Sequence, residues 1–297
     1  MLEQVLRPPG PIDLGLTLGP FSRGGSDPTM RIEAGRVVRA TRTPDGPATG
    51  EFVASGDDVI VRAWGPGARH VVETAPALLG FDDDPGAFVP RDPMVAELHR
   101  RTPGLRLGRS GAVTEALVPT VLEQKVYGSE ARRSYRLLVR RFGEPAPGPI
   151  SLMLPPAPDR LASLPYYAFH PCEIERRRAD TIRRACRYAP RLEATAPADA
   201  SRLSAALSAI PGIGPWTCAE VAALALGDPD AVSVGDYNLP RMVAYAFAGE
   251  READDARMLE LLEPFRPHRL RVVRLLSIAG FFPPRRAPRA PRRRFIG

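Results

Sequence analysis

The feature that most constrains this chain is a proline- and glycine-rich turn between two short apolar segments, LSAALSAI and WTCAEVAALA. Apolar residues before the turn recur at the spacing of one helix face, namely Leu203, Ala206, Leu207 and Ile210. Pro211 ends that helix, and a second helix is predicted from about Trp216. Gly212 and Gly214 bracket Ile213 and permit a tight turn with positive φ. The segment therefore predicts two short helices joined by a hairpin.

Backbone N–H groups at the hairpin and at the start of the second helix give this turn a ligand preference. A helix N-terminus carries unpaired N–H donors and a partial positive charge, so it favours a phosphate group. The residues that we expect to bind a phosphate in this way are Gly212, Ile213, Gly214 and Thr217. An aspartate, Asp236, follows Trp216 by 20 residues, after a Gly-Asp-Pro-Asp turn and a short apolar run. The functional interpretation depends on the hairpin and this aspartate together.

The two motifs resemble those of the helix-hairpin-helix DNA glycosylase superfamily. Residues 211–217, PGIGPWT, and 235–237, GDY, are most similar to the bacterial 3-methyladenine DNA glycosylase II branch. That branch carries Trp-Thr after the hairpin and Asp-Tyr at the catalytic position. The resemblance covers about residues 92–282 and is specific at the hairpin and the aspartate. It implies an enzyme of base excision repair that excises alkylated purines from double-stranded DNA, with Asp236 as the catalytic residue.

The chemistry of base excision fits a single carboxylate. When an N-glycosidic bond breaks, the sugar becomes oxocarbenium-like, and a carboxylate near C1′ stabilises that cation. We expect Asp236 to do so, with Val232, Val234 and Tyr237 keeping it partly dry. An alternative structural role is the N-cap of a helix over residues 238–247, and the two roles are compatible.

Trp216 occupies the place where bifunctional members of the superfamily carry a lysine that forms a Schiff base. The resemblance therefore implies a monofunctional glycosylase without lyase activity. Trp216 and Tyr237 are the residues expected in the base pocket, where an aromatic face attracts a cationic alkylated base. The alternative for Trp216 is plain core packing.

Base flipping needs a side chain to fill the vacated stack. The segment LEQKV resembles the family's wedge position, so Gln124 and Lys125 are expected at the DNA. The branch usually has leucine where this chain has Lys125. Because lysine is a poor hydrophobic wedge and a good phosphate ligand, a second interpretation stays open: a DNA-binding paralogue with little or no excision.

The net charge agrees with a nucleic-acid partner, and the cysteines bear on whether a metal is bound. The 297 residues carry a net charge of +7, and Lys125 is the only lysine among 41 basic residues. The cysteines Cys172, Cys186 and Cys218 have no metal-ligand spacing, so no metal and no cofactor is predicted. There is no apolar signal core and no run of 18 apolar residues, so no membrane association is expected. We expect a cytoplasmic, nucleoid-associated monomer.

The expected fold class is α+β, in three parts. Residues 1–88 form an N-terminal domain of antiparallel strands, expected at residues 13–21, 30–43 and 51–64, with a helix at 71–79. Residues 89–282 form an all-helical glycosylase domain, and residues 283–297 form an Arg/Pro-rich, extended or disordered tail. Between the first two parts, Asp82, Asp83 and Asp84 indicate a solvated linker, with a metal site as the alternative. The tail arginines expected to contact DNA are Arg285, Arg286, Arg289, Arg292, Arg293 and Arg294.

Helical periodicity governs the central part of the chain. Pro119 predicts a kink or a restart in its helix. The helices expected are residues 93–101, 113–127, 130–142, 159–163, 174–188, 199–210, 254–262 and 269–279, and a Pro-rich loop is expected at 144–158.

Overall fold

A computed structural model describes residues 1–195 and 199–284 of the chain. The tail arginines predicted to contact DNA lie outside the described residues: Arg285, Arg286, Arg289, Arg292, Arg293 and Arg294. Within the described ranges, no helix is both long enough and apolar enough to cross a membrane. The division at residues 88 and 282 stays a prediction.

A five-stranded antiparallel sheet occupies the first 64 residues. Its strands are β1 (Leu2–Leu6), β2 (Met30–Glu33), β3 (Arg36–Thr43), β4 (Gly46–Ser55) and β5 (Asp58–Trp64), in the order β1-β5-β4-β3-β2. Apolar residues alternate along the strands and pack with Phe52 against a helix that follows the sheet, residues Ala68–Leu78. The expected combination of an antiparallel sheet and helices is confirmed.

The segment at residues 13–21 is helical, so the prediction of a strand there was wrong. Helix α1 (Leu14–Leu18) begins after Asp13, whose carboxylate accepts a hydrogen bond from the Leu16 N–H at 2.9 Å. Leu14 and Leu18 are buried one turn apart, which is the helical spacing. The same leucines also fit an alternating pattern, and the cap decides between the two. The edge strand β1 was not predicted.

The rest of the chain is mainly helical. The helices are α2 (Ala68–Leu78), α3 (Pro93–Arg101), α4 (Val113–Glu123), α5 (Gly128–Phe142), α6 (Pro158–Ser163), α7 (Arg176–Arg187), α8 (Ala189–Glu193), α9 (Ala200–Ser208), α10 (Pro215–Ala225), α11 (Leu239–Ala248), α12 (Asp255–Leu262) and α13 (Arg269–Ala279). The expected Pro-rich loop holds a short pairing of β6 (Glu144–Pro145) with β7 (Met153–Leu154). Helix α4 continues through Pro119, so the helix does not restart there, and it ends at Glu123 rather than near residue 127.

Two apolar cores organise the helices. One core is formed mainly by α4, α5, α7, α9 and α10. The other is formed by α3 and α11 to α13. Asp236 lies in the connection between α10, which belongs to the first core, and α11, which belongs to the second. The segment that holds Asp236 therefore links the two cores.

Of the three aspartates expected in a solvated linker, Asp82 and Asp84 are exposed, whereas Asp83 is largely buried. Asp83 is 9% exposed and accepts a hydrogen bond from the fully buried Arg271 at 2.5 Å and from the Leu107 N–H at 2.9 Å. Asp82 pairs with Arg109 at the surface. Asp84 caps a short 3-10 turn by accepting the Gly86 and Ala87 N–H groups. Since each carboxylate turns to a different partner, they do not converge on a metal ion; no group of three or more metal-ligating side chains occurs in the described residues.

Candidate active site and nucleic-acid interface

The predicted hairpin joins α9 to α10, and its two glycines have different roles. Gly212 has a φ of +99°, and a Cβ on it would lie 2.3 Å from the Thr181 hydroxyl oxygen, so only glycine fits. Gly214 has an extended backbone with a φ of −116° and is the N-cap of α10. A Cβ there would meet nothing within 4 Å. The second glycine therefore faces open space.

The hairpin presents two backbone donors outward. Neither the Gly212 nor the Gly214 N–H has a hydrogen-bond partner in the part of the chain that the structure describes. Both lie at the N-terminus of α10, where the helix dipole favours an anion. This geometry can hold a phosphate group.

Ile213 and Thr217 are placed differently from the prediction. The Ile213 N–H donates to the Ile210 carbonyl at 3.1 Å, and its side chain is buried in the core. It has no donor left for a phosphate, and it anchors the turn instead. The Thr217 side chain is 2% exposed, and its hydroxyl accepts a hydrogen bond from Gln124, so only its backbone N–H is suited to an anion.

Gln124 bonds the end of α4 to the hairpin through its side-chain amide, and it does not project as a wedge. Its amide nitrogen donates to the Gly212 carbonyl and to the Thr217 hydroxyl, both at 3.0 Å. Lys125 follows it, is exposed, and adopts a left-handed backbone with a φ of +55°. Such a conformation costs roughly 1–3 kcal/mol in a residue other than glycine. The end of α4 therefore holds the exposed Lys125 beside the hairpin.

Asp236 is held by both of its carboxylate oxygens. Oδ2 accepts a hydrogen bond from the Trp216 indole at 3.0 Å. Oδ1 accepts from the N–H groups of Asn238 at 2.7 Å and Leu239 at 2.8 Å, which cap the start of α11. Asp236 therefore caps α11, which is the alternative role considered for it. The Trp216 indole bonds to Asp236, so its role is not limited to core packing. Together these contacts fix the orientation of the carboxylate.

Asp236 is partly buried, whereas the neighbouring Tyr237 lies exposed at the surface. Its side chain is 73% exposed. The guanidinium carbon of Arg241 lies 4.3 Å from the ring centroid, and Arg241 also pairs with Glu252 at 2.5 Å. One face of the ring is therefore occupied by a cation and is closed to a cationic base.

Three charged residues were missed from the sequence: Glu123, which interacts electrostatically with Asp236, and Arg23 and Glu220, which interact with Glu123. Arg23 comes from the segment after α1, and its Nη1 lies 3.6 Å from Glu123 Oε1. Glu220 lies one turn after Trp216 on α10 and accepts a hydrogen bond from Ser233.

Glu123 is the carboxyl of this group whose ionisation the surroundings change. Burial raises the pKa of Glu123 above its ordinary value. The positive charges of Arg23 and Arg132 oppose this rise, and the negative charges of Glu220 and Asp236 add to it. The adjacent LEQKV motif pointed to this place in the chain, whereas nothing in the sequence pointed to Arg23.

The fold is that of the helix-hairpin-helix DNA glycosylases. The 3-methyladenine DNA glycosylase of Archaeoglobus fulgidus superposes with a TM-score of 0.78 at 18% identity, covering 93% of this chain and 97% of that one. The apo 8-oxoguanine glycosylase/lyase of Clostridium acetobutylicum superposes with a TM-score of 0.72 at 13% identity, covering 95% and 96%. Mag1 of Schizosaccharomyces pombe, a 3-methyladenine DNA glycosylase solved with abasic DNA, gives 0.55 at 16% identity, covering 67% and 98%.

Sequence comparison points to the same group. No family model matches the chain. Over 169 residues it is 32% identical to a "probable bifunctional transcriptional activator/DNA repair enzyme AlkA" of Mycobacterium tuberculosis, covering 54% of this chain. The chain spans about one third of that relative's length, 34%. The resemblance to helix-hairpin-helix glycosylases, and to their 3-methyladenine branch, is confirmed.

Proposed function

We propose that this protein is a monofunctional DNA glycosylase that hydrolyses the N-glycosidic bond of alkylated purines, 3-methyladenine among them, in double-stranded DNA. The observation that carries the proposal is the Asp236 carboxylate, held by the Trp216 indole at 3.0 Å beside the helix-hairpin-helix turn. A turn that binds phosphate next to an oriented carboxylate is the arrangement that excision of a flipped base requires. The repair enzymes named above support this assignment.

In the proposed reaction the hairpin donors bind a phosphate next to the lesion, and the lesion base leaves the stack. As the bond from C1′ to the base lengthens, positive charge develops on the sugar and Asp236 stabilises it. The base departs with the electrons of that bond, a water molecule then adds to C1′, and the proton that this water loses passes to solvent. The indole and the two backbone donors hold the carboxylate, so it need not reorganise as this charge develops.

DNA binding is proposed to use three sources of positive potential. These are the α10 N-terminus, the exposed Lys125, and the arginines of residues 285–294. Contacts of this kind are to phosphates, so they position the protein without reading sequence.

The direct test is release of bases from methylated duplex DNA. We expect free methylpurines and a product strand that stays intact until alkali or an added lyase cuts at the abasic site, because Trp216 replaces the Schiff-base lysine. Borohydride should trap no covalent adduct; an adduct would contradict the monofunctional assignment. Firm DNA binding without any release of a base would favour the paralogue without excision instead.

A substitution at Gly214 tests the phosphate-binding turn. Gly214→Asp places a negative charge at the α10 N-terminus in open space, so the fold should tolerate it. We expect binding to every duplex, damaged or not, to weaken by about tenfold, roughly 1.4 kcal/mol. Gly214→Ala is the matched control, since it adds the same Cβ without charge and should bind nearly as the parent does. Fluorescence anisotropy measures both; a loss confined to one lesion would contradict the phosphate assignment.

A further inference from the structure

The segment that ends at Asp236 is a tight turn over residues 233–236, which we call the Asp236 loop. The Asp236 N–H donates a hydrogen bond to the Ser233 carbonyl at 3.2 Å, which closes the turn. Gly235, between them, is exposed and has a φ of +92°. A Cβ on Gly235 would meet only the Trp216 Cβ, at 3.9 Å, in the part of the chain that the structure describes. Because glycine is conformationally free and little packs against this one, hydrogen bonds must set the course of the loop.

Asp255 bonds the residue that precedes Asp236. Both of its carboxylate oxygens accept the Gly235 N–H, Oδ1 at 3.1 Å and Oδ2 at 3.0 Å. Asp255 is the first residue of α12, where the helix N-terminus favours a negative charge. A hydrogen bond to a carboxylate is also stronger than one between neutral groups. Asp255 therefore restrains the glycine next to the carboxylate that is proposed to be catalytic.

Glu220 bonds the other end of the same loop. It lies one turn after Trp216 on α10 and accepts a hydrogen bond from the hydroxyl of the buried Ser233. Trp216 itself donates to Asp236 at 3.0 Å. Two residues of α10 therefore hold the two ends of the Asp236 loop, and Asp255 holds it from α12.

The two carboxylates that hold the loop belong to different parts of the fold. Helix α10 packs in the first helical core and α12 in the second, and the Asp236 loop lies between them in the chain. We infer that Asp255 and Glu220 are positioning residues, which hold the Asp236 loop from the two cores so that its carboxylate meets the reacting sugar in one fixed place. The inference rests on the proposed glycosylase function and deepens it.

A positioning role has a kinetic signature. Misplacing a catalytic group by about 1 Å can lower a reaction rate by about 100-fold. Loss of either bond to the Asp236 loop should therefore slow base excision, whereas DNA binding through the hairpin should be retained. A residue that only stabilised the fold would instead lower the melting temperature and leave the excision rate of the folded protein unchanged.

The experiment measures two quantities for each variant. These are the single-turnover release of bases from methylated duplex DNA, by chromatography, and the affinity for a duplex with an uncleavable tetrahydrofuran abasic site, by fluorescence anisotropy. Asp255→Ala removes the acceptor, and we expect excision to slow by about 10-fold to 100-fold. Asp255→Asn removes the same charge but keeps a carbonyl oxygen for the Gly235 N–H, so excision should stay within about threefold of the parent. Both variants should bind the abasic duplex within about threefold of the parent.

The other end of the loop provides the second variant. Ser233→Ala removes the hydroxyl that bonds Glu220, and excision should slow by about tenfold while binding is retained. Asp254→Ala is the matched control, because it removes the cap of α12 rather than a bond to the Asp236 loop. It should lower the melting temperature by about 2–4 °C and leave the excision rate unchanged.

The outcomes separate the two proposals. If the parent protein releases no base, the glycosylase function fails and this inference fails with it. If the parent excises and either Asp255→Ala or Ser233→Ala stays within about threefold of it, the assignment of that end of the loop is wrong. The role of Asp255 is also contradicted if Asp255→Asn is as slow as Asp255→Ala, or if binding weakens as much as excision slows. Thermal melting checks that the variants fold, and an Asp255→Ala protein that cannot fold would make Asp255 a structural residue.

Discussion

Replacing Asp236 with asparagine should lower the single-turnover rate of base excision by 10² or more, on the order of 3 kcal/mol in the barrier. The neutral amide has the same shape but no charge to stabilise the oxocarbenium-like sugar. Its oxygen can still accept the N–H groups of Asn238 and Leu239, so α11 keeps most of its cap. DNA affinity should hold or rise, because a negative charge near the phosphates is removed.

A matched control separates lost charge from lost capping. Asp254 caps α12 by accepting the Arg257 N–H at 2.9 Å. Asp254→Asn therefore makes the same chemical change at another helix N-terminus and should excise at the parent rate. Excision by Asp236→Asn within about threefold of the parent would contradict the catalytic assignment.

The largest expected effect on stability concerns the buried ion pair of Asp83 and Arg271 at the junction between the sheet and the helices. Asp83→Ala should lower the free energy of unfolding by about 3–5 kcal/mol, because it leaves the fully buried Arg271 without its counter-charge. The remaining contact of that guanidinium, the Leu105 carbonyl at 3.2 Å, cannot neutralise it. Urea denaturation, followed by circular dichroism, measures the change.

The neighbouring residue provides the comparison. Asp82 pairs with Arg109 at 2.6 Å, but the two side chains are 62% and 51% exposed. Asp82→Ala should therefore change the free energy of unfolding by less than about 1 kcal/mol. Equal effects of the two substitutions would mean that the buried pair is not what stabilises the junction.

Local patterns allowed the hairpin and the position of Asp236 to be predicted. Pro211, Gly212 and the apolar spacing around them determine a turn between two helices within about 25 residues. Gly212 confirms the reasoning, since Thr181 leaves no room for a Cβ. Most helices were found for the same reason: their periodicity is contained within each segment.

Contacts between distant residues could not be predicted. Arg23 and Glu123 meet in the fold but are 100 residues apart in the sequence, and no spacing rule links them. The partners of Gln124 lie 88 and 93 residues away, so its sequence position suggested a DNA contact rather than a bond to the hairpin. At residues 13–21 two periodicities overlap, and the Asp13 cap of α1 decides between them.

The exposed Lys125 gives this protein a single amine side chain for selective labelling. It is the one lysine in 297 residues, and its left-handed backbone holds it outward beside the hairpin. Arginine does not react with reagents selective for primary amines, so such a reagent meets Lys125 and the α-amino group. A fluorophore attached in this way would sit at the turn proposed to face DNA, without a cysteine being introduced. The amino-acid bias that replaces lysine with arginine elsewhere thus allows the residue predicted at the wedge position to be labelled in the native sequence.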